Sequence, residues 1–212
     1  MKKKEVLLVL TERWADWEAS YAIAGINSTQ QYDVKTIAID QYPKVSIGGL
    51  RVEIDYSIED YQCFDHLAMI ILPGGYSWKE NNVDKIADFV RDAHDFGIPI
   101  AAICGATIFL AKHGLLDNVK HTGDEWQYFE SVLKDQEKYH GHDNFVSAQI
   151  VSHNGFITAN ETAAVDFAYE IFRTLELHTN EELKIWHDTF KNGMIRWIHL
   201  SSQHIKKNRM LI

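Results

Sequence analysis

The sequence predicts an α/β protein in which helices cover a mostly parallel sheet. Short β-branched or aliphatic runs alternate with amphipathic stretches along most of the 212 residues, and this alternation is typical of parallel sheets. The runs are nearly continuous in apolar residues, as in Ala68–Leu72, which suits strands buried on both faces. No internal repeat or linker interrupts the pattern, so we expect one domain over residues 1–212.

The first half of the chain supplies the predicted centre of the sheet. Its strands are expected at Val6–Leu10, Val34–Ile39, Leu67–Leu72 and Ile98–Cys104, and its helices at Glu18–Ile26, Val83–Phe96 and Thr107–His113. Glycines mark the boundaries, because Pro73-Gly74-Gly75 ends the third strand and Gly114 closes the third helix. Between residues 43 and 57, glycines and a proline interrupt alternating apolar positions, which indicates a small β excursion.

The second half predicts an antiparallel edge followed by two helices. Two strand-like runs within Phe145–Ile157 meet at Asn154-Gly155, the pair that best suits a type I′ hairpin turn. Apolar residues at helical spacing predict a helix over Ala163–Leu177, and a last helix is expected from Glu181 to Asn192. The tail Met194–Ile212 has some strand character but no evident partner.

Composition restricts the function classes. The net charge is −9 without a long Lys/Arg block, so a nucleic-acid partner is not expected. The apolar run Val6–Leu10 is too short for a signal-peptide core, and no run reaches the length of a membrane helix. Two cysteines, Cys63 and Cys104, are too few for a disulfide framework. We therefore expect a cytoplasmic protein that does not bind membranes.

Cys104 is the first candidate functional residue. In Ala102-Ile103-Cys104-Gly105-Ala106 an apolar strand runs directly into a helix, with small residues two positions either side of the cysteine, as a nucleophile on a sharp strand-to-helix turn requires. The helix N-terminus favours a thiolate, so we expect a lowered pKa for Cys104. On these residues alone, an inert buried cysteine remains the alternative.

Two other segments follow strands and belong at the same edge of the sheet. The N–H groups of Gly75 and Gly105 could together form an oxyanion hole, although Pro-Gly-Gly is also a common tight turn. Glu18 lies near the start of the first helix, where it could hydrogen-bond the Cys104 sulfur or merely complement the helix dipole. His140-Gly141-His142-Asp143 is a weak zinc signal, and we expect neither a metal nor a cofactor.

Taken together and in this order, these segments resemble the ThiJ/PfpI superfamily, which includes the Parkinsonism-associated deglycase and the PfpI-type intracellular peptidases. The resemblance runs from Glu5 to about Leu177 and is carried by Glu18, by Asp65–Gly75 and by Ala101–Ala106. It implies a flavodoxin-like three-layer sandwich of the class I glutamine amidotransferase type, commonly a homodimer, in which Glu18 hydrogen-bonds the elbow cysteine.

The resemblance also implies a third catalytic candidate, and the chain differs from some members of the superfamily at one position. His121, in Val119-Lys120-His121-Thr122, resembles a downstream histidine that approaches the cysteine in other members, so it is a candidate general acid or base. Peptidase-like members carry a histidine directly after the cysteine, where this chain has Gly105. That difference puts a peptidase triad in doubt.

Two functions from different classes remain open on the sequence. One is a cysteine-dependent hydrolase, protease- or amidase-like or glyoxalase- or deglycase-like, that acts on a small molecule or a peptide through Cys104, Glu18 and His121. The other is a redox-sensing or stress-protective protein without turnover, in which Cys104 is oxidised to sulfenic or sulfinic acid.

Overall fold

The computed structural model describes residues 3–80, 83–134 and 139–193. The strands are β1 (Lys4–Val9), β2 (Tyr32–Ala38), β3 (Lys44–Val45), β4 (Arg51–Val52), β5 (Tyr56–Ser57), β6 (Leu67–Leu72), β7 (Ile100–Ile103), β8 (Ile150–His153) and β9 (Phe156–Ala159). The helices are α1 (Asp16–Thr29), α2 (Asp84–Asp95), α3 (Gly105–Lys112), α4 (Trp126–Leu133), α5 (Ala164–Thr174) and α6 (Asn180–Asn192).

The main sheet has seven strands in the order β5-β2-β1-β6-β7-β9-β8. All neighbouring pairs are parallel except β8 with β9. The central order β2-β1-β6-β7-β9 is that of a flavodoxin-like doubly wound sheet, so the predicted fold class is confirmed. Because β1, β6 and β7 are adjacent, the segments that follow them meet at one edge of the sheet.

Each face of the sheet buries its own apolar core. In β1, Leu7 and Val9 point to one face and Val6 and Leu8 to the other, and all four are almost fully buried. The first core includes residues of α2, α3 and α4, and the second includes residues of α1, α5 and α6. Burial on both faces explains why the central strands have no polar alternation.

The predicted hairpin and β excursion both exist, with differences in how they join the sheet. Asn154 and Gly155 have φ values of 47° and 79°, as a type I′ turn requires. Of the two hairpin strands, only β8 lies at an edge of the sheet, because β9 continues the parallel sheet beside β7. In the excursion, β3 and β4 form a separate two-stranded ribbon, while β5 extends the main sheet.

Helix α4 is the element that the sequence analysis missed. Its eight residues bury Phe129 and Leu133 against the first core, but no proline or glycine marks its ends in the sequence. The strand character expected for Met194–Ile212 lies outside the described residues, and one domain over residues 1–212 stays a prediction. Among the described residues, no helix is both long and apolar enough to cross a membrane.

Packing between α1 and α5 depends on a glycine. A Cβ on Gly25 would lie 2.1 Å from Cζ of the buried Phe172 ring. Helix propensity alone would make Gly25→Ala stabilising by up to about 1 kcal/mol, whereas overpacking costs about 1–3 kcal/mol. We expect packing to dominate, so Gly25→Ala should lower the free energy of unfolding in urea. The loss should shrink in a Phe172→Leu background, and equal losses in both backgrounds would contradict this explanation.

Candidate active site

Three segments converge beyond the carboxyl ends of β1, β6 and β7. The loop after β1 is bound to the loop after β6, because Ala15 N donates to Gly74 O at 2.9 Å and Tyr76 N donates to Arg13 O at 3.2 Å. This pairing fixes the start of α1 against the Pro-Gly-Gly segment. Cys104 lies between the end of β7 and the start of α3, on the neighbouring strand.

The backbone of Cys104 forms a strained elbow. Its φ of 56° and ψ of −131° lie in a region that residues other than glycine rarely adopt and that costs about 1–3 kcal/mol. The surrounding contacts hold it there: Cys104 N donates to Ala159 O at 3.0 Å, and Cys104 O accepts from the Thr107 N–H and hydroxyl at 2.9 and 2.7 Å. The predicted strand-to-helix turn is therefore present, with the side chain of Cys104 at its apex.

Glu18 lies against Cys104 and is almost fully buried. The Gly74 N–H donates to Glu18 Oε2 at 2.6 Å, and the carboxyl also interacts with the Cys104 side chain. A Cβ on Gly74 would stand 2.6 Å from Glu18 Oε2 and 3.0 Å from Cys104 Sγ, so only glycine fits between them. Burial raises the pKa of Glu18 to about 7, although the bonds from Gly74 and Cys104 oppose the shift.

Asp124 is a second carboxyl beside the sulfur. Its Oδ2 lies 3.7 Å from Cys104 Sγ, at hydrogen-bond distance for a thiol donor. Burial, followed by the charge of the neighbouring Glu161, raises the pKa of Asp124 to about 6. Cys104 is therefore placed between two carboxyl groups that both bind protons near neutral pH.

Backbone N–H groups border the same position. The Gly105 N–H, the first of α3, hydrogen-bonds the sulfur. A Cβ on Gly105 would lie 3.1 Å from Gly75 O and 3.8 Å from Gly75 N, which shows that the two glycine backbones are adjacent. The structure thus brings Cys104, Glu18, Gly75 and Gly105 together at one edge of the sheet.

A sequence model of the DJ-1/PfpI family matches residues 4–174. The chain belongs to the DJ-1/PfpI family. The match includes the elbow cysteine, both carboxyl groups that contact it and the two adjacent glycines. The resemblance derived from Glu18, the Pro-Gly-Gly strand end and the cysteine elbow is confirmed.

Relatives and solved structures agree with this family assignment. The chain is 37% identical over 182 residues to a Bacillus subtilis protein named "Uncharacterized protease YdeA", with 85% of this chain and 88% of that protein covered. It is 31% identical over 194 residues to "Uncharacterized protease YoaZ" of the same organism, with 88% and 90% covered. A ThiJ/PfpI family protein from Bacillus anthracis superposes with a TM-score of 0.84 at 28% identity, over 94% of this chain and 95% of that one.

The electrostatics of Cys104 differ from the sequence expectation. Burial raises the pKa of the Cys104 thiol, and the negative charges of Glu18 and Asp124 raise it further, while the Gly105 N–H opposes them. The lowered pKa expected from the helix N-terminus was therefore wrong. Desolvation and the negative charges of Glu18 and Asp124 outweigh one helix dipole, so the pKa of Cys104 in this DJ-1/PfpI protein lies above its ordinary value.

His121 has other partners in the structure. It is fully buried, with Nδ1 2.8 Å from Val119 O and Nε2 2.9 Å from the Tyr139 hydroxyl. Because a carbonyl oxygen only accepts, Nδ1 carries the proton and Nε2 accepts from Tyr139. Burial lowers the pKa of His121, which also favours the neutral ring. Its role as general acid or base stays a prediction.

Asp124 is the site residue that sequence reasoning missed. It follows His121 by three positions in a segment without strand or helix periodicity. The adjacent Gly123 is the one local indication that this segment packs closely against the rest of the protein. A Cβ there would lie 2.5 Å from Thr107 Oγ1 and 2.7 Å from the Phe129 ring. Asp124 and Glu161 line an open groove of about 820 Å³ together with Trp126 and Asn160. The groove reaches the cysteine through Asp124.

The second cysteine and the weak zinc signal are not part of the Cys104 cluster. Cys63 is exposed, with Sγ 3.3 Å from Asp65 Oδ2. Within the segment His140–Asp143, which gave the weak zinc signal, the His142 ring packs against Trp126 and Tyr139. Within the described ranges, no group of three or more His, Cys, Asp or Glu side chains is arranged to hold a metal ion.

Proposed function

We propose that this DJ-1/PfpI protein is a cysteine-dependent hydrolase with Cys104 as its nucleophile. One observation carries the proposal: the sulfur sits on a strained elbow between two carboxyl groups, Glu18 and Asp124, whose pKa values are raised to about 7 and about 6. A general base is most effective when its pKa lies near the working pH. The Cys104 proton therefore has acceptors at the distance and basicity that attack on a carbonyl requires.

The reaction proceeds through a tetrahedral intermediate. As the Cys104 sulfur bonds to the carbonyl carbon, its proton passes to Glu18 and the carbonyl π electrons move to oxygen. In this proposal the N–H groups of Gly75 and Gly105, whose backbones are adjacent, stabilise the developing oxyanion. The protonated carboxyl then returns its proton to the leaving amine as the C–N bond breaks, and water hydrolyses the remaining thioester to the acid and the free thiol.

The substrate is an amide or peptide bond, or a small dicarbonyl compound. The two Bacillus subtilis relatives carry the word protease in their names, which supports the amide class. Gly105 replaces the histidine of peptidase-like members, so Glu18 and Asp124 must handle the proton that a triad histidine would otherwise take. For a dicarbonyl compound, the same groups would move protons on its hemithioacetal with Cys104.

The redox alternative has less support. Thiolate is the form that peroxide oxidises, and burial together with two carboxylates raises the pKa of Cys104. The raised pKa lowers the fraction of thiolate that peroxide can oxidise, whereas attack on a carbonyl can transfer the thiol proton to Glu18 in the same step. We therefore place hydrolysis ahead of oxidation sensing, and one experiment compares them.

The test measures turnover in three proteins. Wild type, Cys104→Ser and the control Cys63→Ser are assayed for cleavage of fluorescent casein and for removal of methylglyoxal. We expect Cys104→Ser to lose at least about a thousandfold of whichever activity is present, because the nucleophile is removed, and Cys63→Ser to keep it. Equal activity with and without Cys104, or conversion of Cys104 to a sulfinic acid in dilute peroxide without any turnover, would overturn the proposal.

We further propose a homodimer, as the resemblance implies, and a reducing cytoplasm as its location, which the small number of cysteines favours. Its mass by light scattering should be twice the 24.4 kDa of the chain. A mass of one chain at micromolar concentration would refute the dimer without affecting the chemistry of Cys104.

A further inference from the structure

A small apolar pocket lies directly beside the two glycines of the proposed oxyanion hole. Its volume is about 180 Å³, and Gly75 and Gly105 form part of its wall. The apolar side chains that line it are Trp78, Ile108, Phe109, Val132 and Leu133. Any group attached to a carbonyl carbon that is held at Cys104, with its oxygen at these glycines, therefore has this pocket next to it.

The walls of the pocket are fixed by other contacts. Trp78 Nε1 donates to Pro73 O at 2.8 Å, and the Trp78 and Phe109 rings are 4.6 Å apart. Both side chains are almost fully buried. The pocket thus exists before any ligand arrives, and little conformational entropy is lost when it is filled.

The two lysines of the lining already have partners. Lys79 Nζ donates to the Tyr128 hydroxyl at 2.5 Å, and Lys112 Nζ lies 3.8 Å from Asp84 Oδ1. The lining that remains for a ligand is apolar. For comparison, an apolar cavity of roughly 150 Å³ binds one benzene molecule.

We propose that the substrate carries one apolar group, of the size of a phenyl ring or a branched chain of about four to six carbons, on its reacting carbonyl carbon. This inference rests on the proposed function and specifies its substrate class. The apolar group fills the pocket beside Gly75 and Gly105. The rest of the bound substrate lies in the larger groove that Asp124 lines. A methyl group in the same position leaves most of the pocket empty, so within either substrate class we expect compounds that fill the pocket to react better than those that carry only a methyl group there.

The test uses aldehydes, which bind without turnover. The Cys104 sulfur adds to the aldehyde carbon and the thiol proton ends on the oxygen, giving a reversible hemithioacetal. In a Cys63→Ser background, acetaldehyde, isovaleraldehyde and phenylacetaldehyde are compared as protectants of Cys104 against iodoacetamide, read by intact mass. Each aldehyde is normalised to its affinity for N-acetylcysteine, which removes differences in intrinsic electrophilicity.

We expect phenylacetaldehyde to protect Cys104 at a concentration at least about tenfold below that of acetaldehyde, since each well-packed methylene contributes about tenfold or more in a fitted pocket. Val132→Phe, which fills the pocket, should abolish that advantage. Ser131→Phe places the same side chain at the exposed neighbouring position and should preserve it. The wild-type series needs no variant, so it stands even if Val132→Phe unfolds.

Different results would contradict the apolar pocket and the proposed hydrolase function. Equal normalised protection by all three aldehydes, or an advantage that survives in a folded Val132→Phe protein, would overturn the apolar pocket and leave the nucleophile in place. Absence of protection by every aldehyde would show that carbonyl compounds do not reach Cys104. That result would overturn both the pocket and the hydrolase.

Discussion

Glu18→Gln is expected to make the protein more stable at pH 8, by up to about 3 kcal/mol, and to change its stability little at pH 5. The pKa of Glu18 is raised by burial to about 7 in the folded chain, from an ordinary value of 4.5. Between these values the folded state holds the proton more tightly than the unfolded state does. The contribution of Glu18 to stability is thus present below about pH 4.5 and is lost as the pH rises through about 7.

A neutral amide removes this pH dependence without removing the local contact. The oxygen of Gln at position 18 can still accept from the Gly74 N–H, which now bonds Glu18 Oε2 at 2.6 Å. No charge is left buried above pH 7, so the variant should gain the free energy that wild type loses. The carboxylate is retained at a cost in stability, as expected of a group kept for function.

Thermal unfolding at pH 5 and pH 8 provides the measurement. A gain of about 3 kcal/mol corresponds to roughly 6–12 °C in melting temperature for a chain of this size. Glu53, whose side chain is 81% exposed, supplies the control variant Glu53→Gln, which should change neither value appreciably. If Glu18→Gln were destabilised at pH 8, or shifted equally at both pH values, the raised pKa of Glu18 would be refuted.

The second large effect is expected on the reactivity of Cys104. In a Cys63→Ser background at pH 7.5, Glu18→Gln should increase the rate of Cys104 alkylation by about tenfold, the change that accompanies a fall of one unit in the thiol pKa. After burial, the charge of Glu18 is the largest cause that raises the pKa of Cys104. Removing that charge makes the thiolate, which is the nucleophile, more abundant.

A graded series strengthens this measurement. The charge of Asp124 raises the Cys104 pKa less than that of Glu18 does, so Asp124→Asn should accelerate alkylation by a smaller factor, and Glu53→Gln should leave the rate unchanged. Rates are followed by intact mass between pH 6.5 and 10. A slower rate in Glu18→Gln would mean that a protonated Glu18 stabilises a thiolate already present, as the helix N-terminus alone suggested.

The fold and the centre of the site could be predicted from local features of the sequence. Continuous apolar runs identified the central strands, and glycines or proline identified their ends, because each pattern reports the environment of its own segment. The small residues around Cys104 indicated the elbow for the same reason. The resemblance assigned Glu18 to the cysteine, and the structure places its carboxyl there.

Helix α4 was overlooked although Trp126, Phe129, Val132 and Leu133 have helical spacing, whereas the place of Asp124 could not be predicted in this way. Its position depends on contacts with distant residues: Thr122 N donates to Thr158 Oγ1 at 2.9 Å, and the Gly123 backbone lies against Thr107 and Phe129. These contacts bring Asp124 to the sulfur. They also place His121 in an aromatic cluster with Tyr139, where both ring nitrogens are occupied.

The sequence by itself determined the order of the strands and of every helix except α4, and the strand-to-helix turn at Cys104, because these depend on residues that are neighbours along the chain. Together with Glu18 and the Pro-Gly-Gly strand end, that turn also identified the family. Only the tertiary structure decided the protonation of the site. The pKa of Cys104 follows from burial and from carboxyl groups on two separate segments, and Coulomb and desolvation energies depend on distances through space. The helix N-terminus at Cys104 could be recognised in the sequence, whereas the charges that outweigh it are brought together by folding.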